Sequence, residues 1–129
     1  MTVVDASVMV ELLLRMPGSE RLQQRLARPK RLCAPALLDV EVAQALRRYA
    51  ARGELSAERG TDAIELLLAF PIVRYGHEPL LSRVWQLRAN LTAYDATYVA
   101  LAEALRVPLL TADERLANAP GHRARVEVV

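Results

Sequence analysis

Short apolar runs alternate with stretches of helical periodicity along this chain, and that alternation restricts the fold more than any other feature. Thr2 to Val4, Arg31 to Ala34, Ile72 to Tyr75, Leu109 to Thr111 and Val126 to Val129 read as strands. The first is apolar and β-branched, which suits a strand buried on both faces. Between them lie helices with recognisable ends. Ser7 to about Arg15 reads as a helix with Asp5 and Ser7 in capping positions, and Pro17-Gly18 breaks it. Ser19 opens a second, to about Ala27, with Leu22 and Leu26 as its apolar stripe. Pro35 is placed to start a long helix to about Arg52, closed by Gly53, with Leu38, Val42, Ala45, Leu46 and Tyr49 facing the core. Ser56 starts another, which Pro71 stops. Pro79 opens a helix to about Arg88, Thr92 caps one that runs to about Arg106, and Leu116 belongs to a short turn. Strands alternating with helices predict an α/β protein with a parallel sheet flanked on both sides. Its 129 residues fit one domain, 1–129.

Four acidic residues fall where such a fold would gather them. Asp5 closes the first strand, Glu41 lies one turn into the helix after Ala34-Pro35, Asp95 opens the helix after Thr92, and Asp113 follows Leu109-Leu110-Thr111. In a parallel sheet the C-terminal strand ends and the following helix starts line one crevice. Taken singly, Asp5 and Asp113 read as helix caps. Asp95 is harder to assign that way, because Thr92 already fits the cap. Asp39 and Glu41 are two residues apart, about 200° around a helix, so they cannot share one exposed stripe. Only five aspartates occur in the chain, and three lie at strand ends or helix starts. Carboxylates gathered in one crevice repel, and a hard cation such as Mg²⁺ or Mn²⁺, which takes oxygen ligands, relieves the repulsion. A metal so held can activate water against a phosphodiester.

The rest of the sequence narrows the class. Net charge is +2, so the chain is not an overtly basic nucleic-acid binder. Its cations are nearly all arginine, with Lys30 the lone lysine, a bias that fits phosphate recognition or genomic base composition about equally. Arg15, Arg47, Arg48 and Arg52 are candidates for phosphate contact, with a solvated helix face as the equal alternative. A single cysteine, Cys33, cannot form an internal disulfide and reads as a buried thiol in a reducing compartment. No signal-like segment and no membrane-length apolar run is apparent, so a cytoplasmic location with no membrane association is expected. His77 and His122 read as loop residues without a role. A receiver domain would need a lysine after its last strand, and a haloacid-dehalogenase-type phosphatase a second aspartate where Ser7 stands. No GxxxxGK[ST] stretch is present.

Four segments carry a family likeness. Val3-Val4-Asp5-Ala6-Ser7, Leu38-Asp39-Val40-Glu41-Val42-Ala43, Leu91 to Ala102 and Leu110-Thr111-Ala112-Asp113 resemble, in order and spacing, the PIN-domain nucleases, and among them the VapC toxins of toxin–antitoxin pairs. The resemblance covers essentially the whole chain and implies a three-layer α/β/α fold with a parallel five-stranded sheet. It implies a metal-dependent endoribonuclease acting on structured RNA such as tRNA, with Asp5, Glu41, Asp95 and Asp113 as catalytic acids and Mg²⁺ or Mn²⁺ as cofactor. Asp5 and Asp95, with Glu41 as a further candidate, would hold the metal. Thr111 matches a supporting hydroxyl, whereas Ser7 fits a capping role better than a supporting one. Gln44 stands where an asparagine is common, and its extra methylene departs from the pattern. A VapB-like antitoxin and a homodimer are the implied partners. Leu12, Leu13, Leu14, Leu66, Leu67 and Leu68 supply more apolar surface than one helix face needs, while Trp85 reads as core. The alternative is a PIN-like binding module that keeps the acids without cutting RNA.

Overall fold

A computed structural model of the protein describes residues 1–28 and 31–129; Pro29 and Lys30, the lone lysine, lie outside the described residues. The strands are β1 (Thr2–Val4), β2 (Leu32–Pro35), β3 (Ile72–Tyr75), β4 (Leu109–Thr111) and β5 (Val126–Val128). The helices are α1 (Ala6–Leu13), α2 (Ser19–Leu26), α3 (Leu37–Ala51), α4 (Ala57–Ala69), α5 (Leu81–Gln86), α6 (Ala93–Leu105) and α7 (Glu114–Asn118), with a 3₁₀ turn at Glu78–Leu80. The sheet order is β3-β2-β1-β4-β5, and every pairing is parallel.

Handedness follows from that order. Right-handed crossovers from β1 outward to β2 and β3 put α1 to α4 on one face of the sheet. The chain then returns across β1 to β4, which puts α5 and α6 on the other face. The direction of travel therefore reverses between β1 and β4, the switch point at which open α/β sheets form a crevice at their C-terminal strand ends. β1 and β4 are wholly buried, and so is α6 from Ala96 to Ala102, because it lies across the centre of the sheet. α3 buries only Leu38, Val42 and Leu46, with Ala45 and Tyr49 partly covered. Among the described residues, no helix is long and apolar enough to cross a membrane.

Two local expectations are corrected. Pro35 does not open α3; it ends β2, opposite Tyr75. The Ala36 N–H points to β3 and bonds Tyr75 O at 2.8 Å, so the N–H that Pro35 lacks would have pointed towards β1. The register of β1 on β2 stops at Cys33, and the missing donor breaks no pairing there. Trp85 is not core: it is 68% exposed, while Val84 of α5 and Leu87 just after it are the buried side chains. The Arg88 guanidinium stacks on its ring, 4.4 Å from the centroid. The apolar excess also divides. Leu13 and Leu67 are buried and Leu12 and Leu14 pack partly on the core, while Leu66 and Leu68 face solvent.

Candidate active site

Asp5 follows β1 in an extended conformation and caps α1. Its Oδ1 accepts from the Val8 N–H at 3.1 Å and from the Ser7 hydroxyl at 2.6 Å, and its Oδ2 accepts from the Thr111 hydroxyl at 2.5 Å. Asp5 is only 7% exposed. Burial raises its pKa most strongly, the bonds from Ser7, Thr111 and Val8 oppose that, and the charge of Asp95 adds to the rise. Capping and membership of the acidic group are therefore not alternatives for Asp5, since one carboxylate does both.

The same hydroxyls tie the two central strand ends together. Ser7 Oγ accepts from the Ala112 N–H at 3.0 Å, and Thr111 Oγ1 accepts from the Asp113 N–H at 3.0 Å. Ser7 is thus not a cap: it lies inside α1 with its hydroxyl between Asp5 and the β4–α7 connection. Thr111 is fully buried, with its hydroxyl shared between two of the acids.

Glu41 reaches the crevice from α3 and Asp95 from α6, on opposite faces of the sheet. Glu41 Oε1 accepts from the hydroxyl of Tyr98 at 2.6 Å. Burial raises the Glu41 pKa, Tyr98 offsets part of that, and the charges of Asp95 and Asp5 raise it further. Thr92 caps α6 by accepting from the Asp95 N–H at 3.2 Å. Burial and then the charge of Asp113 raise the Asp95 pKa. Asp113 differs. Arg115 donates to both of its oxygens at 3.1 and 3.2 Å and holds its pKa below the ordinary carboxylate range. Neighbouring Asp39 leaves the group altogether and forms a two-pronged pair with Arg74 at 2.7 and 2.9 Å.

The four sequence-selected acids therefore share one region and influence one another's charge. Among the described residues, no three His, Cys, Asp or Glu side chains stand in ready geometry for a metal ion. Tyr98 holds Glu41 and Arg115 holds Asp113 by hydrogen bonds. The donor set fits Mg²⁺ or Mn²⁺ in kind: it is all carboxylate oxygen, and three members carry charge that their surroundings disfavour.

Three interactions were not foreseen from sequence. Tyr98 stands one turn after Asp95 on the same side of α6, and that spacing is the signal that could have found it. Arg115 had no such signal. His77 is no idle loop residue: its Nε2 accepts from the Leu37 N–H at 2.9 Å and supplies the cap that Ala36 cannot give α3. Gln44 is exposed and makes no side-chain hydrogen bond among the described residues. Cys33 is buried, with its thiol pushed up to about 11 chiefly by that burial, which makes it a poor nucleophile. A cleft of about 460 Å³ opens beside the acids, between α1 and α3, with Ser7, Glu41 and Ala112 at one end and Arg48 and Arg52 at the other.

Comparison with known proteins places the chain in a family. The PIN domain family model matches residues 2–121. The chain is 43% identical over 129 residues to Ribonuclease VapC12 of Mycobacterium tuberculosis, covering 100% of this chain and 99% of that protein. It is 45% identical over 128 residues to Ribonuclease VapC1 of the same organism, covering 98% and 96%. Its fold is similar to the crystal structure of Mycobacterium tuberculosis VapC20, a sarcin–ricin loop cleaving toxin, at a TM-score of 0.72 and 14% identity over 95% of this chain and 97% of that one. DNA-bound VapBC from Salmonella typhimurium gives a TM-score of 0.71 at 17% identity, covering 98% and 96%. A family model matching nearly the whole chain, joined to such identity over full length, means that this chain belongs to the PIN-domain family and, within it, to the VapC group.

Proposed function

We propose that the protein is an endoribonuclease that cuts structured RNA such as tRNA, and the toxin of a toxin–antitoxin pair acting in the cytoplasm. One observation carries the reading. Three carboxylates from separate elements, Asp5, Glu41 and Asp95, are brought to the switch point with their charges disfavoured by burial and by one another. A fold that needed these residues only as caps would have no reason to crowd them.

Asp5 and Asp95, with Glu41, would hold Mg²⁺ or Mn²⁺. When bound, such an ion supplies Lewis-acid activation of water and neutralises charge at the scissile phosphate. The remaining work belongs to the chain. Thr111, Ser7 and the Val8 N–H fix both oxygens of Asp5, and Tyr98 fixes Glu41. Both acids are thereby set in one orientation before substrate arrives. Asp113, tethered by Arg115, stands at the solvent side of the group, where it can act through water or at a second ion position.

An antitoxin would neutralise the same acids with a basic side chain. A homodimer would bury apolar surface that one chain leaves open: Leu66 and Leu68 on α4, and Leu81 and Trp85 on α5. The reading is tested by incubating the protein with total cellular RNA and Mg²⁺ or Mn²⁺ and mapping the new ends. Discrete cuts, lost on chelation, support it. Metal binding without cleavage would leave a binding module.

A further inference from the structure

The cleft beside the acids is polarised. Along α3 its wall runs Glu41, Gln44, Arg48 and, just past the helix end, Arg52, recurring every three or four residues on one face, with Tyr49 beside Arg48. Glu41 to Arg52 spans about 16 Å of helix axis. Along α3 the anionic end faces the acidic group and the cationic end faces away from it, while Glu11 of α1 also lines the cleft. Val10 of α1, Ala45 and Met16 add apolar side chains to the lining, and Tyr49, partly buried against the core, lines the cleft too.

Arg48 and Arg52 are exposed, and neither makes a side-chain hydrogen bond or ion pair among the described residues. Other arginines are engaged: Arg25 with Glu127, Arg74 with Asp39, Arg83 with Glu103 and Arg115 with Asp113. Placement separates Arg48 and Arg52 from the remaining unengaged arginines, since both line a cleft that ends at a catalytic acid. At about 460 Å³ the cleft lies within the roughly 300–1,000 Å³ usual for pockets that enclose a small ligand. A ligand anionic at intervals, with flat aromatic groups between, matches it. A single strand of nucleic acid has that chemistry, as phosphates meet guanidinium forks and bases stack on aromatic rings.

We propose that the α1–α3 cleft is a substrate subsite that binds the RNA strand beside the cut, with Arg48 and Arg52 on neighbouring phosphates and Tyr49 stacked on a base. The proposal rests on the ribonuclease reading above and deepens it. The subsite anchors a polyanion that the acids alone would repel, and it contributes binding, not chemistry.

The test uses a labelled single-stranded RNA carrying a mapped cut, with kcat and KM measured over a range of salt concentrations. Arg48→Gln/Arg52→Gln should raise KM about tenfold or more, with kcat near wild type on the pH plateau above the acidic limb, because the Arg48 charge lowers the Glu41 pKa and its loss can shift only that limb. The log–log salt slope of kcat/KM should become shallower by about 1.4, at roughly 0.7 for each single-strand phosphate that no longer meets a guanidinium. Tyr49→Phe should behave as wild type, and Tyr49→Leu should raise KM about fivefold or more. Arg125→Ala, at the opposite end of the sheet, should change neither KM nor slope. The same RNA bound to Asp95→Asn protein, which reports affinity without cleavage, should weaken by the same factor when the two arginines are changed. Wild-type KM, affinity and salt slope in a folded double variant would overturn the subsite. Absence of cleavage by the wild-type protein, with affinity still reduced in the double variant, would overturn the ribonuclease reading and leave the subsite standing.

Discussion

The hydroxyl of Tyr98 donates to Glu41 Oε1 at 2.6 Å, joining α6 on one face of the sheet to α3 on the other over the ends of the central strands. Tyr98 is 2% exposed, so its hydroxyl has little access to water and takes its partner from the protein. Burial and then the bond to Glu41 push the phenol pKa upward.

Tyr98→Phe removes that donor while keeping the ring. Stability should fall by roughly 1.5–3 kcal/mol, as for loss of a bond to a charged acceptor. Glu41 loses the bond that lowers its pKa, so the acidic limb of the cleavage pH profile should move to higher pH, with activity reduced severalfold at neutral pH. An unmoved limb would show that Glu41 does not set it.

Asp95→Asn keeps shape and removes charge. Cleavage should fall by at least about a hundredfold, in line with loss of an electrostatic group at a reacting phosphate. Mn²⁺ binding, followed by calorimetry, should weaken. Melting without metal should stay equal or rise, because a repulsive neighbour of Asp5 and Glu41 is gone. Cutting at near wild-type rate would sink the catalytic assignment.

Thr111→Val is nearly isosteric and leaves Asp5 Oδ2 and the Asp113 N–H without their shared partner. The cost should be about 1–3 kcal/mol, the range for stranding buried polar groups. Cleavage should fall with it, since Asp5 loses one of its restraints. Thr111→Ser, which keeps the hydroxyl, should recover most of both.

The pH dependence of stability without metal has a defined sign. Asp5, Glu41 and Asp95 have folded pKa values above their unfolded ones. Their contribution is complete below the ordinary carboxylate range and is lost as pH rises through the raised values. Glu103 and Asp113, held low first by Arg83 and Arg115, contribute in the opposite sense and lose their part only as pH falls through their lowered values. Thermal melting should therefore be highest near the ordinary carboxylate range and decline towards neutral pH. Mg²⁺ at a hundredfold excess over Kd should restore about 2.7 kcal/mol at neutral pH. A flat profile that ignores Mg²⁺ would count against a charged cluster.

Much of the fold was legible from local signals. The strand runs, the stops at Pro17-Gly18 and Pro71, and the caps Ser56 and Thr92 depend on a few neighbouring residues, and all appear where their chemistry puts them. Alternation of strand and helix was enough for a parallel sheet, and four acids at strand ends and helix starts were enough to mark one crevice. What the acids do to one another was decided only in three dimensions. Tyr98 and Glu41 are 57 positions apart, Thr111 and Asp5 are 106 apart, and His77 and Leu37 are 40 apart. Periodicity reports which side of a helix is apolar, but not which element that side meets. For the same reason Trp85, apolar by type, stands in solvent, and Asp39, two residues from Glu41, is claimed by Arg74 on β3 instead of joining the acids. Residue type and spacing determined the candidates; the packing of α3 and α6 over the central strands decided their partners and hence their charge.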